Sequence, residues 1–307
     1  LTIEVHKVSA LTGHQGAIYA IDRGPEAGIL FSGGADKLVT AWDLRTNENL
    51  PFQAHFPAPV YSLCYVPEEN LLLAGTSAGS LHVIDLKEKK ELKILQHHTA
   101  QIFDIRYSLK HRSIYTIGGD GNLAHCSLDT LSLIRIKKMT GLKLRQMDIN
   151  RSETEMALAS GDGTITLIDL ESMEMKTQFH AHAFSANAVC YHPSGKILLT
   201  GGKDALLKAW DLGNACANIL TIAAHNYAIY DIVFSPDNLL FATASRDKTV
   251  KIWNANTLDF LLRINSENQA GHVNSVNTLF WNKDPNVLVS AGDDRALMCW
   301  RIKVLGC

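Results

Sequence analysis

The sequence predicts an all-β chain assembled from seven copies of one four-strand unit. Three observations carry this reading. A motif closing on Trp-Asp or an equivalent pair returns at nearly constant intervals, a His stands at a fixed distance before most of these closings, and the residues between are short apolar runs broken by turn residues. Helical periodicity is sustained nowhere.

In chain order, TIEVHKVSAL (2–11) has the look of a fourth strand standing ahead of the first unit. The closings follow as GGADKLVTAWDL (33–44), GTSAGSLHVIDL (75–86), IGGDGNLAHCSL (117–128), ASGDGTITLIDL (159–170), GGKDALLKAWDL (201–212), ASRDKTVKIWNA (244–255) and AGDDRALMCWRI (291–302). Their Trp slot reads Trp42, Ile84, Cys126, Ile168, Trp210, Trp253 and Trp300, with steps of 42, 42, 42, 42, 43 and 47 residues. His14, His98, His182, His225 and His272 each lie 28 residues before the Trp slot of their own copy. Within copy 6, AIYDIVFS, LLFATAS, TVKIWNA and DFLLRI (228–264) are four strands joined by PDN, RDK and NTL. Alternation is imperfect, as expected of sheets covered on both faces.

The composition bounds the function. With 307 residues, 46% hydrophobic and 20% charged, the chain reads as soluble and globular, long enough for a sizeable core in one large domain or two ordinary ones. A formal charge of -2 offers no long-range field for a polyanion, so neither nucleic acid nor an acidic membrane surface is expected as a partner. No stretch approaches 18 uninterrupted apolar residues and the start has no signal-like pattern, which makes the cytoplasm the expected location. Six cysteines (64, 126, 190, 216, 299 and 307) are scattered without CxxC and fit reduced thiols. Cys64 and Cys190 stand three repeats apart and are expected as small core residues of innermost strands.

The residues also carry a resemblance. A Gly-His or Ala-His pair, a Ser or Thr, an Asp in a tight turn and a closing Trp-Asp are similar to the WD-repeat (WD40) family, fully in copies 1, 5, 6 and 7 and in degenerate form in copies 2, 3 and 4. The resemblance implies a seven-bladed β-propeller, residues 1–307 as one domain, with one four-stranded sheet per blade around a central channel. The N-terminal strand would complete the last blade and leave no unpaired edge at the junction.

It also implies a hydrogen-bonded tetrad in each complete copy: His14, Ser32, Asp36 and Trp42; His182, Thr200, Asp204 and Trp210; His225, Thr243, Asp247 and Trp253; and His272, Ser290, Asp294 and Trp300. Copy 3 keeps His98, Thr116 and Asp120 but has Cys126, while copies 2 and 4, with Ala74 and Ala78, and Thr140 and Leu158, lack most members. A group that returns in blade after blade is expected to be scaffold. Lys203-Asp204 after two glycines is no phosphate loop either, because the Walker pattern and a following helix are both missing.

In WD-repeat propellers, the residue after the first buried position of each innermost strand lines the channel mouth. Here that ring is Tyr19, Tyr61, Phe103, Arg145, Asn187, Tyr230 and Asn277, with Lys143, Lys203 and Arg246 beside it. Aromatics fall on blades 6, 1, 2 and 3 and cations on blades 4 to 6, a composition suited to a protein or peptide with an apolar anchor and an acidic group. NSENQA (265–270), the main source of the 47-residue step, is expected as an enlarged loop on the same face. The expected function is therefore a non-catalytic, monomeric interaction scaffold without cofactor or metal. The alternative is a propeller enzyme or small-molecule binder, which would need convergent carboxylates or His in the channel, and the mapped ring holds none. His97-His98 and His180-Ala-His182 do not make a metal site by spacing alone.

Overall fold

Each repeated unit folds as a four-stranded antiparallel sheet. In the computed structural model, which describes residues 1–305, unit 6 consists of Ile229–Phe234, Leu240–Ser245, Val250–Asn254 and Phe260–Ile264, paired in that order. Seven such sheets stand as blades of a ring, each innermost strand touching the next, and Val276–Asn282 of blade 7 touches Ile18–Arg23 of blade 1. Cys307 lies outside the described residues.

Closure is made by the chain's own start. Thr2–Thr12 pairs antiparallel with Ala296–Leu305, Thr2 opposite Leu305 and Thr12 opposite Ala296, as the fourth strand of blade 7. Its register shifts between Lys7 and Ser9, opposite Trp300 and Cys299. The outer strand pairs of blades 5 and 6 shift at the same place, beside Trp210 and Trp253, so the N-terminal strand reproduces the pairing of an ordinary fourth strand.

The core is divided among the seams. Seven apolar clusters each join two neighbouring blades; the one between blades 7 and 1 combines Leu11, Val287, Val289 and Leu297 with Ile18, Leu30 and Trp42. This explains the near-continuous apolar strands, such as Leu71–Thr76, which is buried at every position. The outermost strands are the most exposed, and Lys90–Gln96 faces water along most of its length.

NSENQA is a single helical turn, Ser266–Gln269, and not an irregular loop. Asn265 caps it by accepting the Asn268 N–H at 2.9 Å, and Ala270 ends it in the left-handed region.

Candidate functional site

Four blades hold a complete relay of hydrogen bonds near the face that carries the channel mouth. In blade 5 the Trp210 indole N–H donates to Thr200 Oγ1 at 2.9 Å, Thr200 lies 2.9 Å from His182 Nε2, and His182 Nδ1 lies 2.9 Å from Asp204. Blades 1, 6 and 7 repeat the relay through Trp42, Ser32, His14 and Asp36, through Trp253, Thr243, His225 and Asp247, and through Trp300, Ser290, His272 and Asp294. The Trp N–H can only donate, so the hydroxyl accepts it and donates its own proton to Nε2, which leaves Nδ1–H for the carboxylate. Neutral His satisfies every link. Burial holds His182 and His225 below the ordinary His range, outweighing the nearby Asp204 and Asp247 carboxylates. Burial also works against charge on Asp247, but bonds from His225, Thr249 and the Asn226 amide hold its carboxyl well below the usual range.

The incomplete blades substitute other bonds. In blade 3, His97 Nε2 reaches Thr116 Oγ1 at 2.7 Å, taking the place of the missing indole, and His98 completes the link to Asp120. Blade 4 retains a Thr140 hydroxyl bond to Asp162 at 3.2 Å. Blade 2 builds a different network, in which Thr76, Ser80, His82 and Glu91 are joined in series.

The channel mouth is shaped by a recurring backbone irregularity. In every blade the pairing of the first two strands shifts by one residue, and the extra residue is Tyr19, Tyr61, Phe103, Arg145, Asn187, Tyr230 or Asn277. A bulge releases one side chain from the alternation of its strand and re-aims it. All seven line one central cavity of about 730 Å³. Tyr19 stacks on Tyr61 at 4.5 Å between ring centroids, Tyr61 meets Phe103 edge-on at 5.7 Å, and the Arg145 guanidinium lies 4.7 Å from the centre of the Phe103 ring. Asn187 and Asn277 differ from the rest, because their amides donate across the seam to the carbonyls of Ile229 at 3.1 Å and Ile18 at 3.0 Å.

Deeper in the channel the structure shows what reading the mouth ring alone missed. Asp22, Asp104, Asp148 and Asp231 line the same cavity. Each accepts a backbone N–H from the next blade: Tyr65 at 2.6 Å, Met147 at 2.9 Å, Tyr191 at 2.8 Å and Leu279 at 2.8 Å. With Ser62 donating to the Ile102 carbonyl and the two Asn amides, every seam between neighbouring blades is tied by a side chain of an innermost strand. Burial raises all four carboxyls, Asp104 to about 6. Burial also opposes charge on Arg106, yet Asp104, bonded at 2.8 Å, and Asp148 keep it protonated.

Cys64 and Cys190 stand on innermost strands as expected. They pack against seam clusters but also line the channel, and burial, then Asp22 for one and Asp148 for the other, pushes both thiols well up. Such thiols stay protonated and inert. Among the described residues, no group of three or more His, Cys, Asp or Glu side chains could hold a metal ion, and no helix is long and apolar enough to cross a membrane.

A ring of four-stranded blades with a Trp-to-Asp relay in four of them defines a repeat propeller. The family model described as "WD domain, G-beta repeat" matches residues 5–43, 173–211, 216–254 and 265–301, half of the chain, and the chain belongs to the WD40 repeat family. The four matched stretches are those with complete relays. Among curated proteins, the chain is similar to nuclear distribution protein PAC1 of Arthroderma benhamiae, 34% identical over 49% of this chain and 34% of that one. It is also similar to protein transport protein sec13 of Aspergillus clavatus (27% identical; 49% and 58% covered) and to small ribosomal subunit protein RACK1y of Oryza sativa subsp. japonica (24%; 62% and 54%). The match thus spans about a third of the first relative and a little over half of the other two.

Proposed function

We propose that residues 1–307 act as one monomeric, non-catalytic propeller domain in the cytoplasm, which captures a protein or peptide segment at the channel mouth. The observation that carries this reading is the set of seven bulges, which turn Tyr19, Tyr61, Phe103, Arg145 and Tyr230 into one cavity. Aromatic side chains bury large areas at little entropic cost, and together with Arg they dominate binding hot spots. Lys143, Lys203 and Arg246 beside them suit an acidic group on the partner, and no cofactor is required. The names of the relatives, concerned with nuclear distribution, protein transport and the ribosomal subunit, suit a module that is recruited to assemblies. A catalytic channel would need a carboxylate free to act, and the interblade bonds of Asp22, Asp104, Asp148 and Asp231 favour binding over chemistry.

The test is affinity capture from a lysate of the source cells, read by mass spectrometry, with wild type and with Tyr19→Ala, Phe103→Ala and Tyr230→Ala combined. The variant is expected to fold, by circular dichroism, and to lose the captured partner. Retained capture by folded variant moves the site elsewhere.

A further inference from the structure

The tetrad face differs from blade to blade at a position outside the mouth ring. Two residues after the His slot, blades 1, 2, 3 and 7 carry Gly16, Ala58, Ala100 and Asn274, whereas blades 4, 5 and 6 carry Leu142, Phe184 and Tyr227. These three side chains are 52%, 61% and 60% exposed, among the most exposed large apolar groups of the molecule. The same three blades supply Lys143, Arg145, Lys203 and Arg246, which together line a second cavity of about 380 Å³. No carboxylate lines it, and the ion pairs among the described residues involve other Lys and Arg side chains. Arg145 rests on Phe103, and Arg246 lies 5.9 Å from the centre of the Tyr227 ring.

Two unfavourable features thus coincide in one sector. Four cations around one concavity repel one another, and neighbouring apolar side chains stand in water. One kind of occupant relieves both. We propose that the tetrad face of blades 4 to 6 is the docking surface for an acidic amphipathic peptide segment of a partner protein. An anionic side chain, carboxylate or phosphoryl, enters the cavity between Lys143, Arg145, Lys203 and Arg246. Apolar side chains of the same segment lie on Leu142, Phe184 and Tyr227. The proposal rests on the reading of this face as a peptide site, and adds the partner's charge and the direction in which its chain leaves the mouth. A flat bilayer fits less well, because the cations line a concavity.

The experiment selects binders from a phage-displayed random dodecapeptide library on the wild-type protein and measures their affinity by fluorescence anisotropy. Three variants are compared: Lys203→Glu with Arg246→Glu; Leu142→Ser, Phe184→Ser and Tyr227→Ser; and the Tyr19, Phe103 and Tyr230 triple-alanine protein. Selected peptides should pair Asp or Glu with Leu, Ile or Phe, and the first two variants should each weaken binding at least about tenfold, the first in a salt-dependent manner. Ser, phosphoserine and Asp versions of the best peptide separate a phosphoryl from a carboxylate preference. Binders that lack acidic residues, or that keep their affinity for the charge-reversed protein while losing it for the alanine protein, overturn this proposal and leave the mouth reading standing. Binders indifferent to all three variants overturn both. A library that yields no acidic binder also overturns it. So does cosedimentation, dependent on Lys203 and Arg246, with phosphatidylcholine vesicles containing about a third phosphatidylserine, an outcome that favours a membrane.

Discussion

At the scale of single residues, the GGKDALLKAWDL stretch divides between two roles. Asp204 and Trp210 belong to a buried relay, and Gly202 is required there because a Cβ would stand 2.4 Å from His182 Nδ1 and 2.5 Å from Asp204 Oδ1. Lys203, by contrast, is exposed and lines the cavity of blades 4 to 6. Asp204→Ala strands the His182 N–H and the amides of Ala183 and Leu206, and should cost about 2 kcal/mol in chemical denaturation while leaving affinity for a captured partner intact. His225 has a folded pKa below its unfolded value near 6.5, so the stability it adds is full above about pH 6.5 and disappears as pH falls toward the folded value. The loss of thermal midpoint caused by His225→Gln should therefore be greatest at pH 7.5 and shrink by pH 5. The relay was legible in sequence because it repeats at fixed spacing. The substitution of His97 for an indole was not, since it follows from the space left by Cys126.

At the scale of the strand, the mouth ring could be located by counting from buried residues, but its cause is the bulge, which leaves no mark in the residues themselves. Nor could counting reveal that Asn187 and Asn277 bond across seams, or that the acidic residues deeper in the same strands tie one blade to the next. Asp104 has a folded pKa of about 6, above its unfolded value, so its contribution to stability is full below about pH 4 and is lost as pH rises through 6. Asp104→Asn should accordingly gain on wild type by about 3 kcal/mol between pH 4 and pH 7 in urea titrations, the equivalent of a shift of about two pH units. An Asn variant whose deficit is constant with pH would show that this carboxyl is not perturbed. The closing strand was readable from its position ahead of the first unit. Deletion of residues 1 to 10 removes its pairing with the Trp300 strand together with the packing of Ile3 and Val5, and should lower the thermal midpoint sharply. An unchanged midpoint would count against closure.

At the scale of the whole molecule, seven seams distribute the core evenly, while the tetrad face is uneven, aromatic over blades 6, 1, 2 and 3 and cationic with exposed Leu142, Phe184 and Tyr227 over blades 4 to 6. Repeats make a scaffold readable because each copy checks the others. Function is written where the copies differ, and differences alone do not say which side chains meet. Phe103 and Arg145, for instance, come together from neighbouring blades only because both are released by bulges. The proposed property of this face is capture of a partner segment. Hydrogen–deuterium exchange of the protein with and without its captured partner tests it most directly. Protection is expected to be confined to the tetrad-face loops and strand starts, 141–146, 183–188 and 226–231 foremost, with 15–20 and 99–104 beside them. Protection confined instead to outermost strands such as Ser132–Lys138, with the mouth unchanged, would contradict it.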